Sequence, residues 1–330
     1  MSLPRPLVDP FRRTVRDLRV SVTDRCNLRC RYCMPADGLA WLPRSELLTF
    51  EEIERVARLC VARFGFDAIR ITGGEPTVRA HLSVLVTKLA ALGVDLSMTT
   101  NGVSLGLLAD DLRRAGLARV NISLDTLRPE RFERLTRRDD LHRVLDGIDA
   151  ALAAGFDPVK LNCVLVRGLN DDEVVDLAAF ARDRGAHLRF IEFMPLDASG
   201  EWSVDQVVAM DEVVAAVGAA FPLEPVDGDG PAPARRWRYR DGRGEVGVVA
   251  SVTRPFCGAC DRVRLTAEGQ FRNCLFAVQE TDLRAVLRGG GSDDDLAAAI
   301  EADVGRKWAG HSVGTVQFTR PARSMSQIGG

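Results

Sequence analysis

The stretch LRVSVTDRCNLRCRYCMP, residues 18–35, decides how the chain is read. Its first part alternates apolar Leu18, Val20 and Val22 with polar Arg19, Ser21 and Thr23. That period of two belongs to a strand with one face on a core. Its second part places Cys26, Cys30 and Cys33 at C-x3-C-x2-C spacing. A structural zinc ion takes four protein ligands, and so does a 4Fe–4S cluster held wholly by protein. Three thiols in one short loop instead leave one iron of a cluster open, able to bind a substrate or cofactor directly.

Outward from this stretch, strand-like runs recur at 17–22, 68–73, 95–100, 119–125, 159–166 and 188–194. Segments near 50–64, 79–92, 104–115, 140–154 and 171–185 carry apolar residues at helical spacing. Thr49 and Glu52 form the pattern of a capping box. Asn170, ahead of DDEVVDLAAFA, reads as an N-cap followed by an acidic first turn. Six β-α repeats predict a parallel sheet with right-handed crossovers. Six is short of the eight that close a barrel, so the expected fold is α/β, a partial (β/α)6 barrel.

Strand parity predicts the lumen. Leu18, Val20, Val22, Ile69, Ile71, Leu96, Met98, Ile122, Leu124, Leu161 and Cys163 fall on the outward face, toward the helices. The alternate face holds Arg19, Ser21, Thr23, Arg70, Thr72, Ser97, Thr99, Asn121, Ser123, Asp125, Lys160 and Asn162. Barrel interiors are normally filled with branched apolar side chains. A polar, partly cationic lumen points to a large polar anion as ligand.

The 330 residues allow two domains, and an apolar content of 46% supports a sizeable core. A net charge of −2 gives no global field for nucleic acid. No run of about 20 apolar residues is present to span a membrane. The opening MSLPRPLVDPFRR has no apolar signal region, so a cytosolic protein is expected. Clustered cysteines there indicate metal rather than disulfides. Of the 44 basic residues only Lys88, Lys160 and Lys307 are lysines, which singles out Lys160 on the inward face.

After a helix near 205–220, FPLEPVDGDGPAPA (221–234) reads as a linker. Short β segments follow at 235–240, 245–252, 261–267 and 269–273, then helices near 281–289 and 293–308. Residues 310–330 read as an extended tail. The expected division is a barrel core over 1–225 and a smaller mixed α+β region over 226–330. Within the latter, Cys257, Cys260 and Cys274 form C-x2-C-x13-C. This is either a zinc site completed by a distant ligand such as His311, or a second cluster with its own open iron. Arg262 and Arg264 share one face of a strand beside it, a fork of donors suited to phosphate. Cys60 and Cys163 read as buried hydrophobes. His81, His142, His187 and His311 show no metal spacing to one another, and RRWRYRDGRG (235–244) reads as a solvated hairpin.

C-x3-C-x2-C with Tyr32 before its third cysteine, and TGGEP (72–76) one strand later, resemble the radical S-adenosylmethionine (SAM) superfamily. Nearly the whole chain is similar to the GTP 3′,8-cyclases of molybdenum cofactor biosynthesis. The similarity is carried by residues 18–35, IRITGGEPTVR, NISLDTL, the CGACDRVRLTAEG block, RNCLF and the final Gly329–Gly330. The resemblance implies two 4Fe–4S clusters. One on Cys26, Cys30 and Cys33 cleaves SAM to a 5′-deoxyadenosyl radical; one on Cys257, Cys260 and Cys274 ligates the guanine of GTP. It implies removal of the ribose 3′ hydrogen and bond formation to guanine C8. It assigns Tyr32, Gly74, Ser123 and Met194 to SAM, and Arg19, Arg70, Thr99, Lys160, Arg262 and Arg264 to GTP. It brings Gly329 and Gly330 to the active site. It further implies an electron donor such as flavodoxin or ferredoxin and a downstream cyclic pyranopterin monophosphate synthase, with no nucleic-acid or membrane partner. A homodimer is expected on base rates. The rival readings are a peptide-modifying radical SAM enzyme, an iron–sulfur electron carrier, and a zinc-dependent RNA-binding module.

Overall fold

The structure, a computed structural model, describes residues 4–35, 37–197, 200–228, 230–313, 315 and 318–329. A small hairpin, β1 (Leu7–Val8) with β2 (Thr14–Val15), comes first. Six strands then lie side by side in chain order: β3 (Asp17–Ser21), β4 (Ala68–Thr72), β5 (Asp95–Thr100), β6 (Arg119–Ser123), β7 (Val159–Leu165) and β8 (His187–Glu192). Every pairing among them is parallel. The intervening helices are α1 (Phe50–Phe64), α2 (Leu82–Ala90), α3 (Leu105–Arg114), α4 (Pro129–Thr136), α5 (Leu141–Ala153) and α6 (Val174–Asp183), with α7 (Met210–Ala220) after β8.

The outward apolar set is the core. Leu18, Val20, Ile69, Ile71, Leu96, Met98, Ile122, Leu124, Leu161 and Cys163 are all buried under the helices, together with Cys60. Helix α1 begins at the expected capping box: Thr49 Oγ1 accepts from the Glu52 amide at 3.1 Å, and the Thr49 amide donates to Glu52 Oε2 at 2.7 Å.

The region beyond residue 226 does not stand apart from this sheet. β11 (Glu245–Val249) runs parallel to β8 at one edge, and β12 (Arg262–Leu265) runs parallel to β3 at the other. β9 (Leu223–Val226) and β10 (Arg235–Tyr239) extend the first edge, β13 (Gln270–Arg272) and β14 (Thr281–Asp282) the second. The result is one 12-stranded sheet whose outermost strands, β14 and β9, do not meet. The barrel stays open. Helices α8 (Leu283–Arg288) and α9 (Asp293–Val304) pack beside β13 and β14, and α10 (Met325–Ile328) ends the described chain.

Three expectations are corrected. The first part of the supposed linker is strand β9, and Pro225 is tolerated there because the strand is at the sheet's edge. The tail is not simply extended: Ser324 and Gln327 form a capping box that starts α10. Asn170 does not cap α6. It precedes a 3-10 turn over Asp171–Glu173. Its side chain accepts from the Val166 amide at 2.8 Å and donates to the Asp125 and Val164 carbonyls at 2.8 and 2.9 Å.

Candidate active site

The strands end in a cavity of about 310 Å³. Cys26, Cys30 and Cys33 line it, and so do Cys257, Cys260 and Cys274. The same wall includes Arg19, Tyr32, Arg70, Gly74, Thr99, Ser123, Met194, Arg262 and Arg264. All but one of the residues assigned above from the SAM and GTP resemblance therefore share this one chamber. The exception is Lys160, which does not line it. Lys160 is the second residue of β7, one pleat below Asn162, which does.

The first cysteine loop is anchored from two directions. Amides of Arg29 and Arg31 donate to the carbonyls of Thr136 and Leu135, at 2.8 and 2.9 Å, at the end of α4. From the other side the Gly74 and Glu75 amides donate to the Thr23 and Arg25 carbonyls, both at 2.8 Å. A Cβ on Gly74 would lie 2.4 Å from the Asp24 and Arg25 carbonyl oxygens. The glycines of TGGEP are thus required first for seating the turn on this loop, ahead of any close approach to a ligand. Glu75 then locks the turn: its carboxylate accepts from Thr100 Oγ1 at 2.6 Å, the Asn101 amide at 2.6 Å and the Thr77 amide at 3.0 Å.

Burial holds the first-loop thiols protonated. It pushes Cys26 up to about 11, helped by the nearby Glu75 carboxylate, and Cys33 up to about 12, helped by Cys26. Iron binding must therefore displace protons. Tyr32 donates its phenol to Asp125. Asp125 Oδ1 also accepts from the Val164 amide at 2.8 Å, and burial raises its carboxyl to about 6. At the second triad, burial opposes the Cys260 thiolate, but Arg262 and Lys307 outweigh it and bring the thiol below its ordinary value. Among the described residues, no three His, Cys, Asp or Glu side chains are gathered around a single-ion position. His311 lines the cavity beside this triad, with its ring 4.9 Å from that of Phe276. Its Nδ1 accepts from the Val313 amide at 3.3 Å.

The cations of the lumen are crowded and incompletely paired. Burial and Arg70 push Arg19 down to about 9; burial, Arg19 and Arg262 push Arg264 well below its usual value. Burial, with Arg189 and Arg119 beside it, brings Lys160 down to about 7. Among the described residues, Arg19 Nε and Arg262 Nε and Nη2 are buried without a hydrogen-bond partner, with Asp17 and Asp261 carboxylates at 3.9 and 3.7 Å from Arg19 Nε and Arg262 Nε. Unpaired buried donors of one sign are costly, and a polyanion would pair them. Arg189 also lines the cavity, and burial with Arg119 and Arg236 lowers it to about 10. Sequence reading passed over it, although the buried alternation of Leu188 and Phe190 around it was the available signal. Asn162 and Asp125 are further wall residues to which no role was given.

The tail enters the same chamber. Met325 and Ser326 line it, and Ser21 Oγ donates to the Ile328 carbonyl at 3.1 Å. Arg264 donates to the Gly329 carbonyl. Gly330 lies outside the described residues.

Residues 20–181 match the Radical SAM superfamily and residues 186–313 match Molybdenum Cofactor Synthesis C. A GTP 3′,8-cyclase of Streptomyces coelicolor is 50% identical over 98% of this chain and 96% of the relative. One of Rhodopirellula baltica is 49% identical over 100% and 94%. Among solved structures, Streptococcus suis SuiB bound to S-adenosylmethionine has a TM-score of 0.59 at 13% identity. That match covers 83% of this chain and 66% of SuiB, so this chain spans about two thirds of SuiB's length. It shows the shared fold. With half of its residues identical to such relatives along nearly its whole length, the chain belongs to the GTP 3′,8-cyclase family of the radical SAM superfamily.

Proposed function

We infer that the protein is a radical SAM GTP 3′,8-cyclase. It joins ribose C3′ of GTP to guanine C8, giving (8S)-3′,8-cyclo-7,8-dihydroguanosine 5′-triphosphate for molybdenum cofactor biosynthesis. The observation that carries this reading is the lumen itself: two cysteine triads and buried, incompletely paired arginines line one and the same cavity.

Cys26, Cys30 and Cys33 would hold a 4Fe–4S cluster with SAM at its open iron. When bound, the cluster supplies the electron that cleaves SAM and so provides the hydrogen-abstracting radical. The chain's own part is placement. Tyr32, Gly74, Ser123 and Met194 would orient SAM, with Tyr32 fixed by Asp125. Arg19, Arg70, Arg262 and Arg264, with Thr99 and Lys160, would take the GTP, and Arg189 adds a further cation to that wall. Guanidinium forks match phosphate oxygens, and a bound polyanion would favour their charged form. The burial of these side chains lowers the local dielectric, which strengthens each of these contacts.

Cys257, Cys260 and Cys274 would hold the second 4Fe–4S cluster and present its open iron to guanine. Supporting this over zinc, three protein thiols leave a cluster iron open, whereas a structural zinc ion needs a fourth protein ligand. The His311 Nδ1 lone pair, which could complete a zinc site, is engaged by Val313. Gly329 and Gly330 would close the substrate chamber. In this scheme residues 1–225 carry the radical chemistry and 226–330 the substrate end. An external one-electron donor such as flavodoxin or ferredoxin and a downstream cyclic pyranopterin monophosphate synthase complete the route. A homodimer in the cytoplasm is part of the same proposal; no helix among the described residues is long and apolar enough to cross a membrane.

The test is 5′-deoxyadenosine release by anaerobically reconstituted, reduced protein given SAM. The expected result is release stimulated by GTP and not by ATP. Release indifferent to nucleotide would overturn the substrate assignment.

A further inference from the structure

Residues 7–15 contribute nothing to the cavity wall, yet two charged side chains there are almost fully buried. Arg13 is 8% exposed and Asp9 4%. Arg13 Nε donates to Asp9 Oδ2 at 2.5 Å, while Asp9 Oδ1 accepts the amides of Phe11 and Arg13 at 2.9 and 3.0 Å. The rest of the guanidinium reaches across the molecule. Nη1 donates to the Cys257 carbonyl at 2.7 Å and the Ala309 carbonyl at 2.8 Å; Nη2 donates to the Trp308 carbonyl at 2.5 Å. One side chain thus ties together three segments far apart in sequence, and one of them is the first residue of the second cysteine triad.

What Arg13 grips decides how that triad is built. Cys257 opens a 3-10 turn, and its carbonyl also accepts the Cys260 amide at 3.1 Å. The other end of the turn is pinned by Asp261, whose carbonyl accepts the amides of Arg16 and Asp17 at 2.9 and 3.2 Å. The segment running through Trp308 and Ala309 closes over the thiol: a Cβ on Gly310 would lie 3.1 Å from Cys257 Cβ and 3.5 Å from its sulfur. Carbonyls pointing at one spot from separate segments repel one another unless a cation with several donors sits between them. A planar guanidinium spreads five donors over three nitrogens in a fixed fork, whereas an ammonium carries three on a single nitrogen. Asp9 in turn holds the guanidinium in place and balances its buried charge.

We propose that Asp9 and Arg13 form a positioning unit for the Cys257, Cys260 and Cys274 triad, fixing the Cys257 turn against the 308–310 segment so that the second cluster is retained. The proposal rests on the reading of that triad as a cluster site. Arg13 touches neither substrate nor cysteine sulfur in this scheme, so its effect is indirect.

The test compares wild-type protein, Arg13→Ala and Asp9→Asn after anaerobic reconstitution. Iron per chain is counted, each cysteine is mapped by alkylation and mass spectrometry, and the rate of iron loss to a chelator is followed. Wild type should hold about eight irons with all six triad thiols protected. Arg13→Ala should fall to about four, with Cys257, Cys260 and Cys274 alkylated, Cys26, Cys30 and Cys33 still protected, and slow SAM cleavage without GTP retained. Asp9→Asn keeps an oxygen acceptor for the Phe11 and Arg13 amides but removes the charge and the acceptor of Arg13 Nε. It should lose iron at least about tenfold faster from the second triad alone, and it decides the matter if Arg13→Ala does not fold. A role confined to general stability would release both triads together. That result, or full occupancy and wild-type release rates in both variants, overturns the proposal. Wild type carrying zinc or only four irons would instead overturn the cluster reading beneath it.

Discussion

Replacing Gly329 with alanine should dislodge the tail while leaving the barrel intact. Gly329 has φ +86°, and a Cβ there would fall 2.2 Å from Ser21 Oγ and 2.3 Å from Thr72 Oγ1. Both hydroxyls belong to buried residues on adjacent strands, so neither can swing aside. The left-handed backbone costs alanine roughly 1–2 kcal/mol, and forcing a methyl into a packed site costs roughly 1–3 kcal/mol more. The sum, about 2–5 kcal/mol, weakens docking about 30- to 4,000-fold at 1.4 kcal/mol per tenfold. Hydrogen exchange reads this directly. The Ile328 and Gly329 amides are bonded to the Ser324 and Met325 carbonyls at 3.2 and 2.9 Å, and their protection should fall by up to that factor. The hydrogen-bonded amides of β3 to β8 should exchange as before. Because undocking also removes the Gly329 carbonyl from Arg264, GTP cyclisation should fall with it. Unchanged exchange at 328–329 would refute the steric argument. Lost protection with full cyclisation would refute the tail's place in the site.

Cys26→Ala should abolish SAM cleavage, assayed as 5′-deoxyadenosine; persistent GTP-stimulated cleavage would remove the first triad from the mechanism. Arg262→Ala combined with Arg264→Ala removes two charged donors. At about 1.5–3 kcal/mol each, GTP affinity measured by calorimetry should fall by at least about 100-fold, with slow uncoupled SAM cleavage remaining. Lys160 gives a pH signature. Its folded pKa of about 7 lies below the ordinary 10.5, so at pH 8 it is mostly neutral. A bound triphosphate would favour the charged form, so GTP binding at pH 8 should take up close to one proton, seen as a buffer-dependent enthalpy. Lys160→Met should abolish that uptake; no uptake in wild type would place Lys160 out of the ligand's reach. The same shift has a stability consequence. Between about pH 7 and 10.5 the unfolded chain binds the extra proton, so this residue's contribution to stability rises with pH there and is lost as pH falls through 7.

Much of this architecture is written in local alternation. The apolar strand positions from Leu18 to Cys163 are the core because period-two patterning has a single buried solution when helices cover one face. The same alternation places Arg19, Arg70, Thr99 and Ser123 on the cavity wall. What escaped was non-local. That β12 pairs with β3 and β11 with β8 follows from contacts between ends of the chain, and neither strand announces its partner. Helix α4 was missed because PERFERLT is short and strongly charged, although it carries Thr136 and Leu135, which hold the cysteine loop. Lys160 shows the limit of parity: it gives the face of a strand but not the height along the barrel. Arg13 was invisible for a further reason. Its distant partners are backbone carbonyls, which leave no mark in the sequence.

If the chamber works as proposed, it moves a hydrogen from C3′ of GTP to SAM-derived deoxyadenosyl. The most direct measurement supplies GTP deuterated at C3′ to the reduced, reconstituted protein with SAM and follows the label by mass spectrometry. The expected result is one deuterium in 5′-deoxyadenosine, together with a nucleotide product whose mass is that of the labelled GTP less deuterium plus hydrogen and whose retention time is shifted. Deoxyadenosine formed in the presence of labelled GTP but carrying no deuterium would contradict it.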